Sequence, residues 1–387
     1  MNDTKAEMLT DLPEKQLPGG EKAEKKQKNY GIELLRILSM YMIVILHVIG
    51  QGGISSAVPV GSHKYIVSWL MLVLSYCAVN CYAIISGYVS CRSRFRFSKI
   101  LSLWLLAVFF NTAIWCAARV FFPYMTENIS FVSNFMPISG NQYWYFTAYV
   151  GVLVFLPGLN ALVNNLSKKQ MRWMLLGALA IIALLPEIRE NDIFYTHQGY
   201  SFLWLAIMYI VGAYFRLHFT KKKWLSKPLC LLYYFASALL LAALKFTKEY
   251  GMAKNGVENP VYMNHVSYTS IFVIICAVSL FLFFVQIDIN RTAAQKIISF
   301  FSKSTFGVYI IHTNLIIWLF VLQNRFANFI GVPLPLFPLC ILAAAAVIFL
   351  SCTLLEKIRE LLFKYLFVDK LCSMLDAALD KLYNRFL

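Results

Sequence analysis

Long apolar runs recur along the chain and are separated by short polar and basic stretches. A membrane-spanning helix needs roughly 20 predominantly apolar residues. Runs that approach or reach this length lie at 32–50, 65–89, 99–122, 142–163, 172–187, 201–217, 229–247, 265–287, 304–322 and 335–355. The pattern predicts an all-α, polytopic integral membrane protein with about ten transmembrane helices.

The two ends of the chain differ from this pattern. Residues 1–29 are polar and charged and contain prolines and glycines, so we expect a disordered basic cytoplasmic tail. Residues 30–355 form the predicted transmembrane domain. Over 356–387, apolar residues such as Leu361, Leu371 and Leu375 recur at steps of three and four, with charges on the other face. This spacing predicts an amphipathic helix on the inner membrane surface.

Composition and charge support the membrane assignment and add an orientation. Of the 387 residues, 59% are hydrophobic and 14% charged, and the net charge is +16. With the N-terminus inside, 27 Lys and Arg fall in cytoplasmic stretches and 7, Lys245 among them, in outside stretches. The positive-inside rule then predicts both ends inside, in the cell (cytoplasmic) membrane, and argues against a nucleic-acid partner. The nine cysteines show no zinc spacing, so no metal is expected.

The first span carries three ionisable residues, which are functional candidates inside a membrane. Glu33 and Arg36 are three residues apart, so their side chains can pair. His47 follows Arg36 by eleven residues, which places both on one face, about 16 Å apart along the axis. An arginine that snorkels to headgroups and a histidine that bonds a neighbouring helix would also explain the pattern.

Three other segments contain candidates with two explanations each. The arginines and lysine after the second span either anchor it or bind the phosphates of a cytoplasmic donor. The aromatic residues that open the fourth span form an interfacial belt or a sugar-stacking surface. The ninth span carries polar residues that bond between helices or line a site. These residues are Arg92, Arg94, Arg96, Lys99; Tyr143, Trp144, Tyr145; and Ser304, Thr305, Tyr309, His312. The HxxxxD, GxSxG, Walker and HExxH signatures are absent.

The order of these pieces resembles that of the membrane-bound acyltransferase family 3, the O-acyltransferases of bacterial surface polysaccharides. Arg36 and His47 match its pattern of an arginine, ten residues and a histidine in the first span. The similarity covers roughly residues 30–357 and includes GIELLR, AIISGYV, the Trp144 segment, STFGVYIIH and the pair Glu356-Lys357. The family's Arg-x-Arg pair fits either Arg92 and Arg94 or Arg94 and Arg96.

The resemblance implies transfer of an acyl group, most often acetyl, from cytoplasmic acyl-CoA to a hydroxyl of a cell-surface or lipid-linked saccharide. No bound cofactor is implied, because acyl-CoA is a co-substrate. His47 would be the general base, since a neutral imidazole can take the hydroxyl proton, or else an acyl carrier. Glu33 would orient Arg36, which would contact the donor together with Arg92, Arg94, Arg96 and Lys99. The residues implied at the acceptor or along its path are Ser86, Tyr88, Trp144, Tyr145, Ser304, Tyr309 and His312.

Two other functions fit parts of the pattern. A transporter or flippase for a lipid-linked saccharide would also need many spans, intramembrane charges and interfacial aromatic residues. Such proteins often contain inverted repeats, and no internal repeat is evident here. A membrane sensor with a basic tail is a third option. Membrane lipids, acyl-CoA and a saccharide or glycolipid are the expected partners. The sequence leaves open the oligomeric state and the choice between direct transfer and an acyl relay.

Overall fold

The computed structural model describes residues 28–220 and 222–386. Its regular elements are helices and no strand occurs in the described part, which confirms the predicted all-α class. Residues 1–27 of the predicted tail lie outside the described residues. The α-helices are α1 (Tyr30–Ile49), α2 (Ile54–Ala57), α3 (His63–Ser75), α4 (Ala78–Ser90), α5 (Phe97–Phe121), α6 (Trp144–Val154), α7 (Leu156–Asn165), α8 (Lys168–Leu179), α9 (Leu185–Arg189), α10 (Phe202–His218), α11 (Lys227–Lys254), α12 (Ile271–Val285), α13 (Thr292–His312), α14 (Phe337–Tyr365) and α15 (Val368–Phe386).

Each of the predicted apolar runs contains a helix, but the helices differ in length. Among the described residues, six segments are long and apolar enough to cross a membrane: Tyr30–Ala57, His63–Ser90, Phe97–Phe121, Lys168–Arg189, Lys227–Lys254 and Phe337–Tyr365. Two bent pairs, α6 with α7 and α13 with Ile317–Gly331, raise this number to eight if each is one span. The apolar helices α10 and α12 are shorter. The protein is therefore a multi-span helical membrane protein, and the count of ten and the orientation stay predictions.

Helix α1 is the central helix of the bundle. The Asn29 side chain caps it by accepting a hydrogen bond from the Ile32 N–H at 3.1 Å. The helix packs against α3, α4, α12, α13 and α14, and most of its residues are buried. The polar stripe of Arg36 and His47 therefore points into the protein between neighbouring helices rather than into lipid.

Helices α4 and α10 approach each other to backbone contact. A Cβ atom at Gly87 would lie 1.8 Å from the Tyr209 carbonyl oxygen, and one at Gly212 would lie 1.9 Å from that of Ile84. Small residues permit such approaches between membrane helices. This contact holds the face of α4 that carries Tyr82 and Ser86 against the centre of the bundle.

The predicted span over 304–322 is bent, because the chain turns by 78° after α13. The Asn314 side chain accounts for the break: its amide donates to Asn111 Oδ1 at 2.9 Å, and its Oδ1 accepts from the Ile316 N–H at 3.1 Å. A π-helical segment follows at Ile317–Leu322. It returns Trp318 to the end of α1, where its ring lies 4.8 Å from that of His47 between centroids.

The predicted surface helix over 356–387 is divided between two helices. Residues 356–365 continue α14 without a break, and α15 begins at Val368 after Phe367 adopts a positive φ of 54°. Helix α15 packs against α5, where both the backbone N–H and the hydroxyl of Ser98 donate to Asp376. Leu387 lies outside the described residues.

Lys245, which the charge count places with the outside residues, lies within a helix. Helix α11 extends to Lys254, and Lys245 is completely buried on it. Its ammonium pairs with Glu249 and lies 3.7 Å from the centroid of the Trp69 ring. The residue therefore belongs to the interior of the bundle and says nothing about orientation.

Candidate active site

A cavity of about 410 Å³ lies in the centre of the bundle, between α1, α4, α5, α6 and α13. Half of the predicted site residues line it. These are Arg36, His47, Ser86, Lys99, Trp144, Tyr145 and Tyr309. The sequence spacing placed Arg36 and His47 on one face of α1, and both side chains border the same space.

His47 is oriented by a second histidine. Its Nδ1 lies 2.9 Å from Nε2 of His312, and Nδ1 of His312 lies 2.5 Å from the Val308 carbonyl oxygen. A carbonyl oxygen only accepts, so His312 carries its proton on Nδ1 when neutral. Its Nε2 is then an acceptor, and the proton between the two rings belongs to Nδ1 of His47. Both tautomers follow from this hydrogen-bond chain.

This arrangement leaves Nε2 of His47 as an unprotonated nitrogen with a free lone pair. The atom has no hydrogen-bond partner among the described residues, and its side chain borders the cavity. The Trp318 ring stands edge-on to the imidazole at 88° and covers another side of it. A neutral imidazole whose Nε2 is free can accept a proton from a ligand in the cavity.

Cationic side chains line the part of the cavity nearer the start of α1. Arg36 donates to Glu33 at 2.8 Å, and Lys99 donates to the Tyr149 hydroxyl at 3.1 Å. Lys303 borders the cavity and has no ion-pair partner among the described residues. Because Arg36 precedes His47 by eleven residues, the arginine and the imidazole are about 16 Å apart along the helix. The cavity is thus long and cationic at one end.

Aromatic rings form a second wall of the cavity. Trp144 and Tyr268 stack with their ring centroids 5.8 Å apart and an angle of 22°. Tyr200, which is 42% exposed, lies 4.5 Å from Trp144 and 4.9 Å from Tyr268. Flat aromatic faces of this kind contact the apolar faces of ring-shaped ligands.

The remaining predicted residues do not line the cavity. Glu33 and His312 lie behind Arg36 and His47 respectively, each bonded to the residue that faces the ligand space. Ser304 is buried and donates to the Phe300 carbonyl oxygen at 3.2 Å, and Tyr88 contacts Arg216. Arg92, Arg94 and Arg96 are exposed between α4 and α5. Their roles in binding a donor or an acceptor stay predictions.

Sequence reasoning missed several residues of the lining, including Tyr82, Tyr149, Tyr268 and Lys303. Tyr82 precedes Ser86 by one helical turn, so the spacing could have found it. Tyr268 lies in the loop before α12 and carries no periodic signal. Within the described ranges, no group of three or more His, Cys, Asp or Glu side chains could hold a metal ion.

No curated protein and no solved structure is significantly similar to the chain. Residues 29–355 match the model of the acyltransferase 3 family, which is described as an acyltransferase domain. The match covers most of the chain, including all the residues that line the central cavity. The protein is therefore a member of the acyltransferase 3 family and a membrane acyltransferase.

Proposed function

We propose that the protein moves an acyl group, in the first instance acetyl, from cytoplasmic acyl-CoA to a hydroxyl of a cell-surface or lipid-linked saccharide at the cell membrane. The observation that carries this proposal is the hydrogen-bond chain from the Val308 carbonyl through His312 to His47. It holds a neutral imidazole nitrogen toward a cavity large enough for reacting groups, which is what a general base for an alcohol requires.

The proposed reaction is a single displacement at the thioester carbon. The saccharide hydroxyl oxygen attacks that carbon while its proton passes to Nε2 of His47. The tetrahedral intermediate then collapses, the carbon–sulfur bond breaks, and the thiolate takes the proton back from His47. The products are the saccharide ester and free CoA, and His47 returns to its starting tautomer. No acyl-enzyme is needed when both substrates occupy one cavity.

The two ends of the cavity suit the two substrates. The cationic end of the cavity, with Arg36, Lys99 and Lys303, would bind the part of the donor that is nearest to its phosphates. The thioester would then extend along the cavity toward His47. Trp144 and Tyr268 offer stacking faces to a sugar ring on the other side. The donor thus approaches from the start of α1, which the charge pattern predicts to be cytoplasmic, and the acceptor from the aromatic wall.

Replacing His312 by leucine is expected to lower kcat about a hundredfold, because His47 loses the acceptor that fixes its tautomer. His312→Gln should retain more activity, since the amide oxygen can still accept from Nδ1 of His47. The measurement is kcat and its pH dependence for both variants, at matched amounts of folded protein. An unchanged kcat and pH profile in His312→Leu would show that the second ring only fills space.

Replacing Trp144 by alanine is expected to raise the KM for the saccharide roughly two- to tenfold, the range associated with loss of one aromatic contact. The KM for acyl-CoA should stay the same, and Trp144→Phe should lie near wild type. Steady-state kinetics with each substrate varied in turn gives both constants. If the variant instead reduced only the amount of protein in the membrane, Trp144 would be an interfacial anchor.

The function itself is tested by following a labelled acyl group. Membranes that contain the protein are incubated with acyl-labelled acetyl-CoA, and label is measured in glycans and glycolipids before and after mild alkali. The proposal expects alkali-labile label, as an ester requires, and none in membranes without the protein. A saccharide that crosses the membrane with no covalent change would identify a transporter instead.

A further inference from the structure

A second groove opens beside the central cavity, and the predicted site includes none of its residues. It has a volume of about 490 Å³ and lies between the start of α1, the first part of α13 and the end of α14. Lys296 and Lys303 line it from α13, Lys357 and Glu360 from α14, and Tyr30 from α1. We refer to it as the α13 groove.

The α13 groove is joined to the central cavity through Lys303. This side chain lines both spaces, and it precedes His312 by nine residues on α13. A ligand that lies in the groove can therefore extend past Lys303 toward Arg36 and on to His47. The groove also lies at the end of the bundle where α1 and α13 begin, the end that the charge pattern predicts to face the cytoplasm.

The charges of the groove indicate an anionic ligand. Glu360 is paired with Lys357 at 2.7 Å, whereas Lys296 and Lys303 have no ion-pair partner in the part of the chain that the structure describes. Lysine binds phosphate as a compact point charge with three donors. Ser299 adds a hydroxyl to the lining, and Tyr30 adds an aromatic ring, on which a nucleobase can stack.

We propose that the α13 groove binds the phosphorylated nucleotide end of the acyl-CoA donor, with Lys296 and Lys303 as its phosphate contacts. This inference rests on the proposed function for its choice of donor. It assigns the phosphates to α13, whereas the exposed arginines between α4 and α5 line neither space. Lys303 then marks the point at which the donor passes from the groove into the reaction cavity.

The test is nucleotide binding to the purified protein in lipid nanodiscs, with adenosine 3′,5′-bisphosphate as the probe. Lys296→Gln is expected to weaken binding about tenfold, and combination with Lys303→Gln about a hundredfold, because each removes one charge-assisted contact. Lys296→Arg should restore most of the affinity. The control is Arg291→Gln, which removes an exposed cation at the start of the same helix without touching the groove.

Kinetics gives a second and independent readout. Acyl-CoA should be preferred over acyl-pantetheine, which lacks the nucleotide, and this preference should shrink about tenfold in Lys296→Gln. Equal probe affinity in wild type and Lys296→Gln would overturn the proposal. The proposal would also be overturned if Lys296→Gln weakened probe binding only in nanodiscs that contain phosphatidylglycerol, because the lysines would then hold lipid headgroups.

An error in the ligand assigned to the α13 groove and an error in the proposed function give different experimental results. If the protein transfers acyl groups from acyl-CoA but Lys296→Gln binds the probe normally, the groove assignment is wrong and the function stands. If the probe binds through Lys296 but no acyl group is transferred to any hydroxyl, the groove does bind nucleotides and the proposed function is wrong. Thermal unfolding of each variant shows that its loss of binding is not a loss of fold.

Discussion

Replacing His47 by glutamine is expected to abolish acyl transfer, with kcat at least a hundredfold and as much as ten-thousandfold below wild type. Glutamine can take part in the hydrogen bond to His312, but its amide cannot accept a proton at neutral pH. His47→Ala should be equally inactive. The measurement is the rate of acyl transfer to the saccharide at matched amounts of inserted protein.

His63→Gln is the matched control for this change. His63 is exposed at the start of α3 and borders neither the cavity nor the groove, so its replacement should leave the rate unchanged. Arg36→Lys should be impaired but active, because an ammonium cannot reproduce the planar guanidinium beside Glu33. Near-normal transfer by His47→Gln would exclude the general-base role, and with it the proposed chemistry of the cavity.

Replacing Lys245 by methionine is expected to cost about 3–5 kcal/mol of folding free energy, because it leaves the buried Glu249 carboxylate without its cation. The two side chains form an ion pair inside the bundle, and both are less than 10% exposed. Tyr65 donates to Glu249 at 2.8 Å, and Lys245 donates to the Tyr262 carbonyl oxygen at 3.1 Å. The measurement is thermal unfolding of the detergent-solubilised protein.

A comparison with Lys248, a second lysine on helix α11, isolates the effect of burial. Lys248 also pairs with a glutamate, Glu190 at 3.0 Å, but its side chain is 45% exposed, so Lys248→Met should cost no more than about 1 kcal/mol. Adding Glu249→Gln to Lys245→Met should recover much of the lost stability, because the orphaned charge disappears. Equal losses in the two single variants would mean that Lys245 is not held in a buried pair.

The site residues whose relative positions could be predicted from the sequence lie on one helix. Arg36 and His47 are eleven residues apart, and helical geometry alone places them on one face. Three-residue spacing likewise predicted the pair of Glu33 and Arg36, which the structure contains at 2.8 Å. In these cases the spacing of residues along one helix was sufficient to predict the arrangement.

Contacts between distant segments could not be predicted in this way. His47 meets His312 across 265 positions of sequence, and no spacing rule reports that their nitrogens face each other. The bend after α13, which returns Trp318 to His47, depends on Asn314 and its partner Asn111. The Trp69 ring, which lies 3.7 Å from the Lys245 ammonium, likewise comes from a distant segment of the chain.

The choice of which residues of α13 border the cavity also depends on the structure. Lys303 adjoins the predicted Ser304 in sequence, but neighbours on a helix point about 100° apart. Lys303 reaches the cavity, whereas the hydroxyl of Ser304 bonds back to the Phe300 carbonyl oxygen. The similarity to the family therefore located the right segment, and the helical register decides which side chains in and beside it border the cavity.

The most direct test of the account is a paired product measurement on purified protein in nanodiscs, with acyl-labelled acetyl-CoA and an extracted glycolipid acceptor. Free thiol and labelled ester are quantified together for wild type and His47→Gln. Direct transfer with His47 as the base predicts equal amounts of thiol and ester in wild type, no thiol release without acceptor, and neither product in His47→Gln. Acceptor-independent release of thiol with label retained on the protein, or full ester formation by His47→Gln, would contradict direct transfer with His47 as the base.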